Sequence, residues 1–399
     1  MRKILLGTTA VAGAAMMTMG VAQAQTAPTV RVGGFMEITG AFINDDNDKN
    51  VLAAGPGRTL NRTTFDFRNE FEVQVFVTGK AANGMSYGAV IELQNDNMAG
   101  SSGANTGIDS DEAYAFVSSP TLGTIRIGDE DSAASLLQVR VPTITGMGPD
   151  GNWDELLTNR AGTRNGNSYI LSGINDGSDA TKIIYLSPQF FGFDFGVSFA
   201  PNNGEGERVE QGNTTFSQRN RQTLTNELSA GLRYRGSFGN VGVQAGFGAM
   251  RADAPERTDA GAATALQDVQ AMTAGLAVTA FGVTVGGEYT WGKYGGASVG
   301  RTALATGRDN SKHYVLGLTY SMSGISVGGY YGAGTQDNGP NVAEREQRVW
   351  GLGAAYNLAP GLDLIASYNN LKDENGPDSA PGTNQRDASV FYTGMRLAF

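Results

Sequence analysis

Between Thr63 and Val77 the chain alternates: odd positions read Phe65, Phe67, Asn69, Phe71, Val73, Val75 and Val77, even ones Thr64, Asp66, Arg68, Glu70, Glu72 and Gln74. Successive side chains of a β-strand point to opposite faces, so one face of this segment is oily and the other charged. A helix would need a period of 3.6 instead. The same period of two returns in Phe193 to Phe199, Leu224 to Tyr234, Val241 to Phe247, Met272 to Ala280, Val283 to Trp291, Tyr314 to Met322 and Leu362 to Tyr368. Strands that repeat this pattern along a whole chain must either bury their oily faces in a sandwich or turn them outward into lipid.

The connectors decide between these. Short ones (Phe238-Gly239-Asn240, Phe281-Gly282, Ser323-Gly324, Ala359-Pro360-Gly361) alternate with long polar ones near 44–60, 96–110, 132–165, 201–221, 253–267, 294–311, 336–344 and 374–385. Short turns at one end and long loops at the other, with aromatic residues near strand ends, are the pattern of an outer-membrane barrel. The expectation is an all-β chain: a transmembrane antiparallel β-barrel of 16 strands, wide enough for an aqueous lumen. The strands between Asp111 and Asp131 and between Asn165 and Leu186 carry the weakest alternation.

The first residues fit export. Arg2 and Lys3 precede an apolar run from Ile4 to Val21 and the small-residue site Ala22-Gln23-Ala24, which reads as a secretory signal peptide over residues 1–24 cleaved before Gln25. Residues 25–399 then form one barrel domain. After residue 24 no apolar run approaches the roughly 20 residues of a membrane helix, so a membrane-spanning form must be a closed barrel. Without the leader, 27 Lys plus Arg stand against 39 Asp plus Glu, a net charge of −12. Nucleic acid is thereby excluded as a partner, since it requires a basic footprint. The absence of cysteine excludes disulfides and thiolate chemistry, and the single histidine, His313, excludes His-rich metal clusters. His313 heads a strand after a loop and reads as a rim residue without catalytic work. Glu70 and Glu72, spaced as paired acids, fall on a broad charged wall without an apolar pocket to raise either one.

The chain ends Ser389-Val390-Phe391-Tyr392-Thr393-Gly394-Met395-Arg396-Leu397-Ala398-Phe399, with Phe391, Met395, Leu397 and Phe399 on one face. This last strand resembles the assembly signal of Gram-negative outer-membrane proteins, with Phe399 as its terminal residue. The whole chain resembles the general, non-specific bacterial porins. That resemblance implies a homotrimer in contact with outer-membrane lipid and lipopolysaccharide, located in the outer membrane of a Gram-negative bacterium, that passes small hydrophilic solutes and ions without cofactor or enzymatic activity. It also implies that the third long loop, here residues 132–165 after a fifth strand at Thr124–Asp131, folds into the barrel. Its acids would then face arginines on the opposite wall. The candidates are Asp150, Asp154 and Glu155, with Glu130 on the approach, although the segment Pro-Glu-Phe-Gly-Gly of the enteric relatives is absent. Lumen parity selects Arg31, Arg68 and Arg126 as the basic wall, and Arg62 lies near a strand start. Small outward residues on early strands (Gly34, Gly40, Ala113, Ala115, Val117) suit subunit packing.

An alternative role for the acids is Ca²⁺ binding, at Asp129 and Asp131 beside Glu130 or in Asn44-Asp45-Asp46-Asn47-Asp48, because Ca²⁺ takes several oxygen ligands. Other functions stay open. A solute-selective channel would want an aromatic slide or a lysine ladder, whereas lumen parity shows mixed charge and few aromatics, chiefly Tyr330 and Tyr392. A non-channel barrel such as a hydrolase or an adhesin is the third possibility. The net charge of the chain favours a mild preference for cations.

Overall fold

The computed structural model describes residues 26–48, 51–52, 59–96, 108–149, 151–157, 170, 174, 179–202, 224–255, 266–295, 304–376 and 383–399. The signal peptide expected over residues 1–24 lies outside them. Sixteen antiparallel strands close into one barrel. In chain order these are β1 (Thr26–Asp45), β2 (Phe65–Lys80), β3 (Ser86–Asp96), β4 (Asp109–Ser119), β5 (Gly123–Asp129), β6 (Thr181–Leu186), β7 (Phe193–Asn202) and β8 (Thr225–Phe238). They continue with β9 (Val241–Asp253), β10 (Val269–Ala280), β11 (Val283–Lys293), β12 (Ser311–Met322), β13 (Ile325–Gln336), β14 (Arg345–Ala359), β15 (Leu362–Glu374) and β16 (Gln385–Ala398). Each strand pairs with its sequence neighbour, and β1 closes on β16 with Phe35 opposite Ala398 and Asp45 opposite Ala388. No helix among the described residues is long and apolar enough to cross a membrane.

The period-two pattern sets the faces. On β7, Phe193, Phe195, Val197 and Phe199 are exposed on the outside, while Asp194, Ser198 and Ala200 are buried on the inside. Aromatic rings gather on the outer face near the long-loop end, where Phe42, Phe65 and Phe67 form a chain with centroids 5.0 Å apart. Tyr289 stacks on Trp291 at 5.3 Å, and Trp350 meets Tyr368 at 5.5 Å. This is the girdle that amphipathic rings form at a membrane interface.

The tight turns follow from their residues. Phe281-Gly282 and Ser323-Gly324 have φ of 53° and 79° and of 48° and 82°, the two positive values that a two-residue hairpin needs to match the right-handed twist of its strands. The fifth strand ends at Asp129, close to expectation. The connection that follows is longer than the expected 132–165, because β6 begins only at Thr181.

Candidate functional site

The connection between β5 and β6 enters the lumen and stays against the wall. Ser132 caps a short helix, α1 (Ala133–Leu137), by accepting from Ser135 N at 3.3 Å. Two further N–H groups of its first turn, which have no partner within the helix, donate to lumen-facing serines: Ala133 N to Ser198 Oγ on β7 and Ala134 N to Ser229 Oγ on β8, both at 3.0 Å. Arg233 on β8 donates to Leu136 O at 3.3 Å while its guanidinium holds Asp194 at 2.6 Å. Beyond α1 the chain passes Val139 over β9 and β10, Pro142 over β11 and β12, Ile144 beside β13 and Met147 beside β14. It reaches β1 and β2 at Asn152, whose amide donates to Glu37 Oε1 at 2.8 Å and to Glu70 Oε2 at 2.9 Å.

This path makes an inner ring, and apolar packing fills the space behind its far end. Val141, Ile144, Met147, Trp153 and Leu157 share a core with wall residues Ala41, Val315, Val349, Leu371, Val390 and Tyr392. Trp153 is fully buried and donates its Nε1 to Gly148 O at 2.7 Å. His313 does stand near the long-loop end of β12, but buried: it is 1% exposed, with Nδ1 at 2.9 Å from the Tyr294 hydroxyl.

The expected site residues fall in different places. Asp150 lies outside the described residues, as does the side chain of Glu155, whose backbone sits in the 3₁₀ turn Asp154–Leu156. Asp154 is 0% exposed, beneath the ring surface. Glu130 accepts from Arg126 Nη1 at 2.6 Å, and Arg126 lies 5.0 Å from the centre of the Tyr114 ring. Arg68 is buried between Glu70 at 3.0 Å and Glu37 at 3.7 Å. Arg31 is exposed on the inner face near the short-turn end, its guanidinium 3.9 Å over the Phe76 ring.

Arg62 stands apart from the other three arginines, in the β1–β2 connection 3.8 Å from Asp48. Burial raises the Asp48 carboxyl, with Asp45 adding to the rise and Arg62 opposing it. Burial likewise lowers the Arg62 guanidinium, against the pull of Asp48 and Asp45. The acidic stretch around Asp45 makes internal pairs: Asp45 binds Arg386, and Asp46 Oδ2 accepts from Asp387 N at 2.9 Å. Asp129 turns to Thr181, accepting from its hydroxyl at 2.5 Å. Among the described residues, Glu112, Glu130 and Asp131 bring carboxylate oxygens within 4.8 Å of one another.

Sequence reasoning placed Glu70 and Glu72 on a charged wall but missed their companions. Glu37, Glu92 and Asp111 line the inner side of β1 to β4 with them, and Gln74 donates to both Glu72 and Glu92 at 2.7 Å. Their parity was visible; their convergence depends on cross-strand register, which places Gln74 opposite Glu92 and Glu72 opposite Gln94.

A family model described as Gram-negative porin matches residues 7–376. Among solved structures, an anion-selective porin from Comamonas acidovorans is similar at 16% identity and a TM-score of 0.57, covering 94% of this chain and 100% of that one. A loop-deletion form of OmpT, an outer membrane protein of Vibrio cholerae, matches at 13% identity and a TM-score of 0.55, covering 94% and 100%. An engineered variant of the Rh. blastica porin matches at 16% and 0.53, covering 93% and 100%. No curated protein matches. With its sixteen strands closed, its outward face apolar and nearly its whole length matched, the chain is a multi-pass barrel of the outer membrane and belongs to the Gram-negative porin family.

Proposed function

We propose that this porin is a general diffusion channel: an open, water-filled pore for small hydrophilic solutes and ions, mildly selective for cations and without enzymatic activity. The observation that carries the reading is the polar, solvent-exposed inner face below the ring. There Arg235, Ser237, Gln244 and Thr279 line a recess of about 720 Å³ that includes space open to solvent. Cation preference is supported by the inner wall of β1 to β6, where Glu37, Glu70, Glu72, Glu92 and Asp111 outnumber Arg31, Arg68, Arg126 and Lys182. A lumen with low-dielectric walls and excess acid concentrates cations. Asp154, being buried, contributes only through its field; a constriction role for Asp150 and Glu155 belongs to the same proposal. Occupation of Glu112, Glu130 and Asp131 by Ca²⁺ is a separate proposal, tested by titrating Ca²⁺ calorimetrically into chelator-treated protein, where an absence of binding heat counts against it.

The test is the zero-current potential across a salt gradient. Cations should be preferred near 0.1 M, where the Debye length is about 10 Å, and the preference should fade toward 1 M, where it is roughly 3 Å. Glu72→Gln with Glu92→Gln should weaken it more than Asp154→Asn. Anion preference in the unmodified protein at low salt overturns the reading.

We infer further that the outer surface divides between subunit and lipid. Ala115 and Val117 are small or apolar and exposed on β4, beside the outward Gly34 and Gly40 of β1, which suits close packing in a homotrimer. By contrast Lys293, Lys312, Arg348 and Lys372 point outward above the aromatic girdle on β11, β12, β14 and β15, where the phosphates of lipopolysaccharide would sit. A purified form that migrates as a monomer before heating counts against the trimer. Lipopolysaccharide retention that survives replacement of these four cations by Gln counts against the lipid contact.

A further inference from the structure

We propose that the bore of this channel is set by glycines of the barrel wall, with Gly231, Gly246, Gly275 and Gly317 acting as positioning residues that hold the inner ring back from the lumen axis. The inference rests on the reading of the chain as an open pore.

The ring runs over positions that have no side chain. A Cβ on Gly231 of β8 would lie 2.9 Å from both Ala133 O and Leu137 Cβ. On Gly246 of β9 it would meet Val139 Cγ2 at 3.0 Å, and on Gly275 of β10 the Val139 carbonyl oxygen at 2.1 Å. On Gly317 of β12 it would meet Pro142 O at 2.4 Å and Val141 Cγ2 at 2.6 Å. The contacts follow the order of the ring from β8 to β12, and at Gly231, Gly275 and Gly317 the obstacle is a ring backbone oxygen, which no rotamer change can move.

Register shows that the track is a path. Glycines face each other across strand pairs: Gly231 opposite Gly248, Gly246 opposite Gly275, and Gly286 opposite Gly317. From each pair to the next, the track shifts two residues along the strands toward the short-turn end. Barrel strands tilt by roughly 35–45° and lie about 4.8 Å apart, so a path of constant height must shift by about one residue per strand. The glycines therefore mark a level groove around the inside of the barrel. Gly242 is the contrast: it shares the inner face of β9 with Gly246, but a Cβ there meets nothing closer than 3.8 Å.

The two surfaces differ in stiffness. The wall is hydrogen-bonded on both sides of every strand and closed on itself, whereas the described residues of the ring beyond α1 have no strand partner. A methyl group inserted between them displaces the ring. Restoring an ordinary contact distance from 2.1 Å requires a retreat of about 1 Å or more toward the axis, and passage through a narrow pore depends steeply on its diameter.

The test is single-channel conductance of the full-length protein in planar bilayers, together with heat-modifiable migration to show that the barrel has assembled. Gly275→Ala and Gly317→Ala should each lower conductance by about 1.5-fold or more, and slow entry of larger sugars into proteoliposomes more than that of smaller ones. Gly242→Ala should match the unmodified channel. Should neither strong variant assemble, Gly246→Ala decides: its added methyl meets Val139 Cγ2 at 3.0 Å and Val139 N at 3.1 Å, so conductance should fall, and Val139→Ala in the same chain, which clears the side-chain part of the obstruction, should restore part of it. Unchanged conductance in assembled Gly275→Ala and Gly317→Ala, an equal loss in Gly242→Ala, or no rescue of Gly246→Ala overturns the proposal. An unmodified protein that conducts no current would instead overturn the channel reading on which it rests.

Discussion

Arg386 and Asp45 form a bidentate pair in which each side chain is 1% exposed, joining the last strand to the first. Removing one partner of a buried pair leaves the other charge without compensation and costs about 3–5 kcal/mol, whereas an exposed pair contributes roughly 0–1 kcal/mol. Asp45→Asn should therefore lower the temperature at which the barrel converts to its heat-modified form. Glu346→Gln, whose carboxylate faces Arg348 at 3.5 Å with both side chains about half exposed, should leave it unchanged. Equal shifts would show that the seam pair carries no special weight. A second expectation concerns acid. The backbone N–H groups of Asp309 at 2.9 Å and Gly339 at 2.7 Å hold the Asp337 carboxyl below its ordinary range. A depressed folded-state value means that the contribution is present above the unfolded pKa of about 3.9 and lost as pH falls through the lower folded value. Protection against hydrogen exchange in residues 337–343, taken relative to the intrinsic rate at each pH, should accordingly change little between pH 7 and 5 and fall below about pH 4; a fall already near pH 6 would contradict the assignment. Pairings of this kind were not legible in the sequence. Asp45 reads there as part of a calcium-like run, and only a register linking residues 341 positions apart brings Arg386 to it.

Strands were the most legible elements, because a barrel wall between lipid and water imposes the same two-residue period on each of them. Where the inner face is itself apolar the signal weakens, and β6 shows it: Ile184 is fully buried on the inner face while Ile183 is exposed on the outer one, and the strand spans only Thr181–Leu186. The inner ring was legible only as a long connector. Its course depends on which wall positions lack side chains and on where Asn152 finds Glu37 and Glu70, and both are properties of the closed barrel. Asp154 shows the limit of judging a loop by its charges, since an acid in the middle of the segment ends beneath it. Asn152 should be the clamp of the ring's far end. Asn152→Ala removes the donor between two buried carboxylates, a loss of about 1–3 kcal/mol, and should produce more frequent partial closures under applied voltage with the same open conductance. A current record as quiet as that of the unmodified channel would place the clamp elsewhere.

At the scale of the whole molecule, barrel closure ends on the terminal residue. Phe399 continues the β1–β16 ladder: its N donates to Gly34 O at 3.0 Å, and Gly34 N donates to its O at 3.1 Å. Its ring remains 63% exposed on the outward face. Two hydrogen bonds at about 1 kcal/mol each, and a ring with little burial to lose, make only a small part of the stability of a closed sheet. Deleting Phe399 should therefore barely move the urea midpoint of protein already folded in detergent. The same ring is apolar and accessible on the strand that closes the barrel against β1, and we propose that it is recognised during assembly. In cells the deletion should thus lower the amount of assembled barrel in the outer membrane by far more than the change in midpoint accounts for. Surface levels equal to those of the full chain would show that Phe399 is only one more residue of the seam, and a large drop in the midpoint would show that it acts through stability instead.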